Sequence, residues 1–349
     1  MKTTVTQPPA EPPLVQPRPL TRIAQAVALL LAGWLILRRR GPFELGGRLA
    51  LGAGLSADAA TPLLRAEVTL YRSESGTPVA APRRAASSNA AQVGALNVIG
   101  ELPRALESEE IVLHYQPIVA VGDGTIRGAE GLVRWEHPQH GLLAPATFIQ
   151  VVEQTELIGP LTRHVLDRAI AQCSRWRDDG SELSVAVNLS VRNLLDQDLP
   201  GDIEQLLTQH SLPAQALQLE ITESMIMSDP ASALNTVTRL SELGVHLSVD
   251  DFGTGYSSLA NLRRLPIDQL KIDRSFVTPM LRDESDLIIV RSTINLGHDL
   301  GLQIIAEGVE DRPTLMQLAE LGADLAQGYH LSRPLPAPAF DDWRGRVAA

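Results

Sequence analysis

Cations, sulfur and aromatic rings are the scarce materials of this 349-residue chain. Lys and Arg number 30 against 41 Asp and Glu, a formal net charge of −11. A chain so short of cations cannot neutralise a long run of phosphates, which argues against a nucleic-acid polymer as partner. It leaves room for a small anionic ligand held by metals and one or two arginines. The single cysteine, Cys173, rules out an intramolecular disulfide and fits a reducing compartment. It lies in a helix-like run from Leu166 to Trp176 and reads as a packing residue. Only 4% of residues are aromatic, yet 44% are hydrophobic, so an ample core must be mostly aliphatic. Trp135 and Trp176 read as part of that packing. The eight histidines show no metal-ligand spacing, and His137 and His140, flanking a Pro-Gln turn, read as surface residues.

Long apolar runs are also missing. The uncharged stretch Ile23 to Leu37 falls short of the about twenty residues that a membrane span needs, which favours a buried helix. Arg38-Arg39-Arg40 would suit the cytoplasmic flank of a short anchor, which stays as the alternative. No small-residue cleavage site follows, so a signal peptide is disfavoured. Residues 1–22 are rich in proline and are expected to be disordered. Residues 83–96, which open Arg-Arg-Ala-Ala-Ser-Ser-Asn-Ala-Ala, read as a linker.

From residue 97 to 340 the pattern is steady. Apolar runs of strand length recur at Val112–Val119, Ala129–Trp135, Leu183–Leu189, Leu217–Ile221, His246–Val249, Gln269–Ile272, Leu302–Ala306 and Leu325–Tyr329. Amphipathic stretches of helical period, such as Ala231–Leu243 and Leu287–Leu300, separate most of them. Strand alternating with helix argues for a parallel sheet with helices outside. Units of roughly thirty residues match the scale of an α/β (β/α)₈ TIM-like barrel. A doubly wound open sheet is the alternative, although no glycine-rich dinucleotide fingerprint follows the first strand.

Polar residues track the ends of these runs. Glu130 lies in the second, Asn188 and Glu220 close the third and fourth, and Asp250-Asp251 close the fifth. Lys271 stands near the end of the sixth, Glu307 follows the seventh and Gln327 falls in the eighth. The rim of a barrel would gather these points onto one surface. The stretch Val249-Asp250-Asp251-Phe252-Gly253-Thr254-Gly255 delivers two adjacent carboxylates to a glycine-rich turn, an arrangement that costs free energy unless a cation compensates. Oxygen donors without His or Cys at the strand ends favour hard ions, Mg²⁺ or Mn²⁺, over zinc. Two such ions would offset most of the charge and suit phosphate-ester cleavage. Lys271 reads either as part of that chemistry or as a simple salt-bridge partner.

Seven motifs in order carry a resemblance. They are Glu130-Gly131-Leu132-Val133-Arg134, Asn188-Leu189-Ser190, Glu220-Ile221-Thr222-Glu223, the Asp-Asp-Phe-Gly-Thr-Gly loop, Lys271-Ile272-Asp273, Glu307-Gly308-Val309-Glu310 and Gln327-Gly328-Tyr329. Residues 97–340 thereby resemble an EAL domain, the cyclic di-GMP phosphodiesterase family, with Gly131 where alanine is usual. The resemblance implies a barrel whose first strand runs antiparallel to the rest. It implies that Glu130, Asn188, Glu220 and Asp250 hold one Mg²⁺ or Mn²⁺, and that Asp250, Asp251 and Glu307 serve the other. Lys271 would orient and help activate the attacking water, and Glu223 would hold the loop after Asp251. Gln116, in Tyr115-Gln116-Pro117-Ile118, Arg134 and Gln327 would meet the substrate, and Ca²⁺ would inhibit.

The same resemblance implies hydrolysis of cyclic di-GMP to the linear dinucleotide pGpG, a homodimer formed through the domain, and a cytoplasmic location. Inner-membrane association through residues 23–37 is the alternative there. A receptor without turnover or a protein-interaction module is the competing function; silent members usually lose a metal carboxylate, the lysine or the loop glutamate, and this chain keeps all of them. Residues 23–82 resemble a degenerate C-terminal part of a GGDEF domain, a small α+β remnant lacking the cyclase loop. Residues 341–349 are expected to be a tail.

Overall fold

The fold begins with a hairpin that the chain cannot avoid. Strand β1 (Ile111–Ala120) and strand β2 (Ile126–His137) are joined by residues 121–125 alone. Gly124 there has φ 72°, and Asp123 accepts from the Thr125 amide at 2.9 Å. A connection that short cannot cross over to a parallel strand, so β1 must run antiparallel to β2.

The computed structural model describes residues 100–222, 225, 229–254 and 262–347. The N-terminal tail, the 23–82 segment with its candidate anchor, the linker and Glu223 lie outside the described residues. After the hairpin come β3 (Gly141–Leu143), β4 (Ser184–Asn188), β5 (Leu217–Thr222), β6 (His246–Phe252), β7 (Gln269–Ile272), β8 (Gln303–Ala306), β9 (Leu325–Ala326) and β10 (Leu335–Pro336). The helices are α1 (Leu102–Glu107), α2 (Pro145–Val152), α3 (Ile158–Asp178), α4 (Val191–Leu195), α5 (Leu199–Gln209), α6 (Pro230–Glu242), α7 (Arg274–Val277), α8 (Glu284–Asp299), α9 (Arg312–Leu321) and α10 (Ala337–Val347).

The sheet closes in the order β1-β9-β8-β7-β6-β5-β4-β2 and back to β1, an eight-stranded barrel. Strands β2 and β4 to β9 pair in parallel around it, and β1 meets β2 and β9 antiparallel. The expected (β/α)₈ barrel and its reversed first strand are therefore both present. Each of the eight apolar runs overlaps a barrel strand. The last is far shorter than expected, since β9 ends at Ala326 and leaves Gln327 just beyond it.

The alternation of side chains along the strands divides the core in two. Val185, Val187, Leu219, Ile221, Leu247, Val249, Leu270 and Ile304 face out and pack beneath the helices. Ile118, Ala186, Ile305 and Leu325 form a separate small cluster, which fills part of the barrel interior. Trp135 and Trp176 are buried as expected, their ring nitrogens donating to Glu110 at 3.1 Å and Asp341 at 2.8 Å. Cys173 is buried in α3. His137 corrects its surface reading: it is 2% exposed and lies against Trp135 and His140, because the β2–β3 hairpin folds its side chain inward. His140 is exposed. Helix α10 crosses the boundary drawn at residue 340, with Phe340 fully buried. Among the described residues no helix is long and apolar enough to cross a membrane.

At the N-terminal ends of the strands, carboxylates from neighbouring strands tie down the strand starts. Asp268 accepts from the Leu247 amide at 2.8 Å and lies 3.4 Å from His246. Asp324 accepts from the Ile304 amide at 2.7 Å and faces His298 at 2.9 Å. Hydrogen bonding to Asp268 raises the His246 pKa above its ordinary value. A raised histidine stabilises the fold fully below its unfolded pKa, and the contribution is lost as pH rises through the folded value. His246→Gln should thus lower the melting temperature more at pH 6 than at pH 8.5. Thermal unfolding of both proteins at the two pH values checks this, and an equal loss at both would refute the linkage.

Candidate functional site

At the C-terminal ends of the barrel strands one ammonium group collects the acidic residues. Lys271 is fully buried and reaches inward from β7. Its Nζ lies 2.5 Å from Glu307 Oε1, 2.9 Å from Glu220 Oε1, 3.6 Å from Asp250 Oδ2 and 3.9 Å from Glu130 Oε2. These residues come from four different strands or strand ends, up to 177 positions apart (307 − 130). Burial works against the lysine's charge, but Glu130, Glu220, Glu307 and Asp250 together hold its pKa well above the ordinary value. The ammonium stays charged.

A chain of amides fixes the neighbouring carboxylate. Asn188 Nδ2 and Gln327 Nε2 each donate to Glu130 at 2.6 Å. Gln327 also reaches Gln116 Oε1 at 3.1 Å, and Gln116 donates to the Ser332 carbonyl at 3.0 Å. Burial opposes ionisation of Glu130, yet Lys271 and the two amides hold its pKa below the usual carboxylate value.

The paired aspartates need a backbone device. Successive strand residues face opposite sides, so Asp250 and Asp251 could not share the mouth of the barrel in a regular strand. Between β6 and β7 the pairing slips from Val249↔Leu270 to Phe252↔Ile272, which places one extra residue on β6. Such a bulge re-aims a side chain. Asp251 takes φ 55°, a left-handed conformation that aspartate tolerates better than most residues, and its amide bonds to Asp250 Oδ1 at 2.8 Å. Both carboxylates now border a cavity of about 280 Å³ with Gln116, Glu130, Glu307 and Gln327.

The expected set is therefore brought together with two exceptions. Arg134 lies on β2, four residues on from Glu130 and so on the same strand face, but it does not line this cavity; its guanidinium donates to the Val133 carbonyl at 2.8 Å. Glu223 lies outside the described residues. The sequence reading passed over Asp273, although it stood in a quoted motif. Asp273 lines the cavity, caps α7 by accepting from the Ser275 amide at 3.0 Å, and adds to the charge around Asp251. Its spacing two residues after Lys271, on a strand end, was the available signal. Gln218, buried two residues before Glu220, was also missed. Ser190, conversely, serves the fold: it forms a capping box with Asn193 at the start of α4.

The charges do not balance. Five carboxylates, Glu130, Glu220, Asp250, Asp251 and Glu307, face one ammonium. Burial first, with Asp250 and Asp273 adding to it, pushes Asp251 up to about 6. Burial likewise raises Glu307 to about 7 and Glu220 well above its ordinary value, against the pull of Lys271. Glu220 Oε2 is buried and finds no hydrogen-bond partner among the described residues. Among those residues no three acidic, histidine or cysteine side chains already converge on a single metal-sized point. Their oxygens are turned toward Lys271 instead. Excess negative charge, hard oxygen donors and an unpartnered carboxylate oxygen fit divalent cations of the Mg²⁺ or Mn²⁺ kind.

Residues 99–334, more than half of the chain, match the EAL domain family model. The chain is 44% identical over 252 residues to the bifunctional diguanylate cyclase/cyclic di-GMP phosphodiesterase MucR of Pseudomonas aeruginosa, covering 72% of this chain and 37% of that protein. It is 34% identical over 332 residues to the cyclic di-GMP phosphodiesterase PdeR of Escherichia coli, covering 93% of this chain and 50% of that one. The chain thus spans half or less of the length of these relatives. The solved structure of the PaMucR phosphodiesterase in complex with c-di-GMP is 43% identical, with a TM-score of 0.68 over 70% of this chain and 99% of that chain. The EAL domain of FimX from Pseudomonas aeruginosa, bound to c-di-GMP, is 26% identical, with a TM-score of 0.64 over 68% of this chain and 96% of that chain.

Two glycines at the site make opposite predictions. A Cβ at Gly131 would sit 3.4 Å from the Ala186 carbonyl and 3.6 Å from Leu113, ordinary contact, and would restrict the unfolded chain. Gly131→Ala should stabilise the protein by up to about 1 kcal/mol. A Cβ at Gly328 would run into the backbone of Val309, which pairs with Gln327. Gly328→Ala should destabilise by about 1–3 kcal/mol. Denaturant unfolding of the two variants checks both signs.

Proposed function

Given that the chain belongs to the EAL domain family, we propose that it is a divalent-cation-dependent phosphodiesterase that hydrolyses cyclic di-GMP to linear pGpG. The observation that carries this reading is Lys271, buried among Glu130, Glu220, Asp250 and Glu307 at the edge of an acidic cavity. A structural ion pair needs one acid, and replacing it by apolar groups is often neutral or stabilising. Four acids around one buried ammonium are costly as structure alone and fit a site built to receive further cations.

Glu130, Asn188, Glu220 and Asp250 would hold one Mg²⁺ or Mn²⁺, and Asp250, Asp251 and Glu307 the second. When bound, these ions supply charge that stabilises the attacked and leaving oxygens of the ester. The protein supplies the rest. Lys271 keeps the acid cluster from repelling itself apart and, as a donor, orients the attacking water. The Asn188 and Gln327 amides lock the Glu130 carboxylate in one orientation. Gln116 and Gln327, which border the cavity, would meet the substrate, and Arg134, beyond Glu130 on the same strand face, would reach one of its phosphates. Glu223 would hold the loop that follows Asp251, a role that rests on its place in the motif. Pairing of two copies through this domain, a cytoplasmic location and inhibition by Ca²⁺ belong to the same proposal. So does the division of the chain into a disordered tail at 1–22, a GGDEF-like remnant at 23–82, a linker at 83–96 and the EAL domain at 97–340.

Purified protein incubated with cyclic di-GMP and Mg²⁺ or Mn²⁺ should yield pGpG, and a chelator should stop the reaction. Glu130→Ala and Lys271→Ala should each lower kcat by a factor on the order of a hundred or more. Excess Ca²⁺, larger and more loosely coordinated, should inhibit. Variants that turn over at the wild-type rate would show the site to be misassigned.

A further inference from the structure

Below the acid cluster the barrel interior changes character from one side to the other. On the side of β1, β4, β8 and β9 it is filled by Ile118, Ala186, Ile305 and Leu325. On the side of β5, β6 and β7 the inward positions are polar. Glu220 is the register partner of Ser248, and Ser248 is the register partner of Gln269, so one row crosses three adjacent strands. Ser248 is 0% exposed, yet its Oγ finds no hydrogen-bond partner among the described residues. Gln269 Oε1 is buried and is likewise without one, while the Nε2 of the same side chain donates to Gln303 at 2.9 Å. Buried polar atoms of this kind are rare in folded proteins and usually mark an internal water.

Lys271 adds a third unmet requirement. Its side chain starts on β7 and ends 2.9 Å from Glu220 on β5, so it must pass across β6 on the inward side, where Ser248 lies in register with Glu220. An ammonium has three hydrogens to give. Two carboxylate oxygens lie within hydrogen-bond distance, those of Glu307 and Glu220; Asp250 and Glu130 stand at 3.6 and 3.9 Å, beyond it.

We propose that the inward row of β5–β7 binds one internal water beneath Lys271, held by Ser248 Oγ and Gln269 Oε1, and that this water positions the lysine. The water accepts the third Lys271 hydrogen and the Ser248 hydroxyl hydrogen and donates to the Gln269 carbonyl, so all three unmatched groups are satisfied by one molecule. Its second hydrogen is left for Glu220 Oε2, which also has no partner among the described residues. Cations on Glu220 and Glu307 would free the lysine hydrogens that those acids take here for the attacking water. Ser248 and Gln269 touch none of the reacting atoms and act through Lys271 as positioning residues. The consequence for catalysis rests on the phosphodiesterase reading; the water site itself does not.

The test uses the full chain and two measurements. A high-resolution crystal structure of the wild-type protein should show a water within hydrogen-bond distance of Ser248 Oγ, Gln269 Oε1 and Lys271 Nζ. Ser248→Val fills the same space with methyl groups and should expel it, and the Lys271 ammonium should shift toward Asp250. In turnover, Ser248→Val should lower kcat about tenfold with KM changed less than twofold, and Ser248→Thr, which keeps the hydroxyl, should recover most of the loss. Should Ser248→Val fail to fold, Gln269→Leu provides the same two readouts. Direct protein contacts to Ser248 Oγ and Gln269 Oε1 in the wild-type crystal, with no water between them, would overturn the site. An expelled water with unchanged kcat would overturn the positioning role. A wild-type protein without turnover would count against the phosphodiesterase reading alone, since the crystal structures still decide the water.

Discussion

One buried ammonium holds the working end of this barrel together. An unpaired charge taken out of water costs several kcal/mol, and breaking a buried pair by removing one partner costs about 3–5 kcal/mol. Lys271 and the acids around it are therefore mutually dependent: the lysine tolerates burial because of four carboxylates, and those carboxylates can approach one another because of the lysine. Burial first, and then the neighbouring acids that one positive charge leaves under-compensated, raise Glu307 to about 7 and Asp251 to about 6. Additional cations would lower both. The same deficit that makes the site expensive to fold makes it selective for a ligand that brings positive charge.

Backbone geometry converts that electrostatic demand into a shaped site. The bulge in β6 and the left-handed Asp251 allow two consecutive acids to face one cavity, against the alternation of a regular strand. Gly308, at φ 68°, and Gly328 let the segments after β8 and β9 pass close to Arg274 and Val309, where a side chain would collide. Gln327 is thereby delivered to Glu130. Gly308 and Gly328 serve backbone approach, while Glu307 and Gln327 beside them serve the site.

Much of this was legible in the sequence. All eight barrel strands overlap the apolar runs read from periodicity, and Glu130, Glu220, Asp250 and Glu307 gather where strand ends were expected to meet. The reversed first strand came from the family resemblance, although residues 121–125 carried it in physical form: an Asp-Gly turn too short for a crossover. His137 was misread because turn composition was taken as exposure, whereas a hairpin can fold one of its residues onto a neighbouring indole. Asp273 was overlooked because helix capping and site lining leave the same residue type at the same place. The inward polar residues Gln218, Ser248 and Gln269 could not have been singled out. Polar residues on a strand read as solvent-facing until the barrel closes and puts them inside.

Direct titration of Mn²⁺ into the metal-free protein, followed by calorimetry or electron paramagnetic resonance, tests the charge deficit most directly. Saturable binding approaching two ions per chain, competed by Mg²⁺ and sharply weakened in Asp250→Ala, is the predicted result. A flat titration, or binding indifferent to Asp250, would contradict the account by showing that Lys271 alone satisfies the acid cluster.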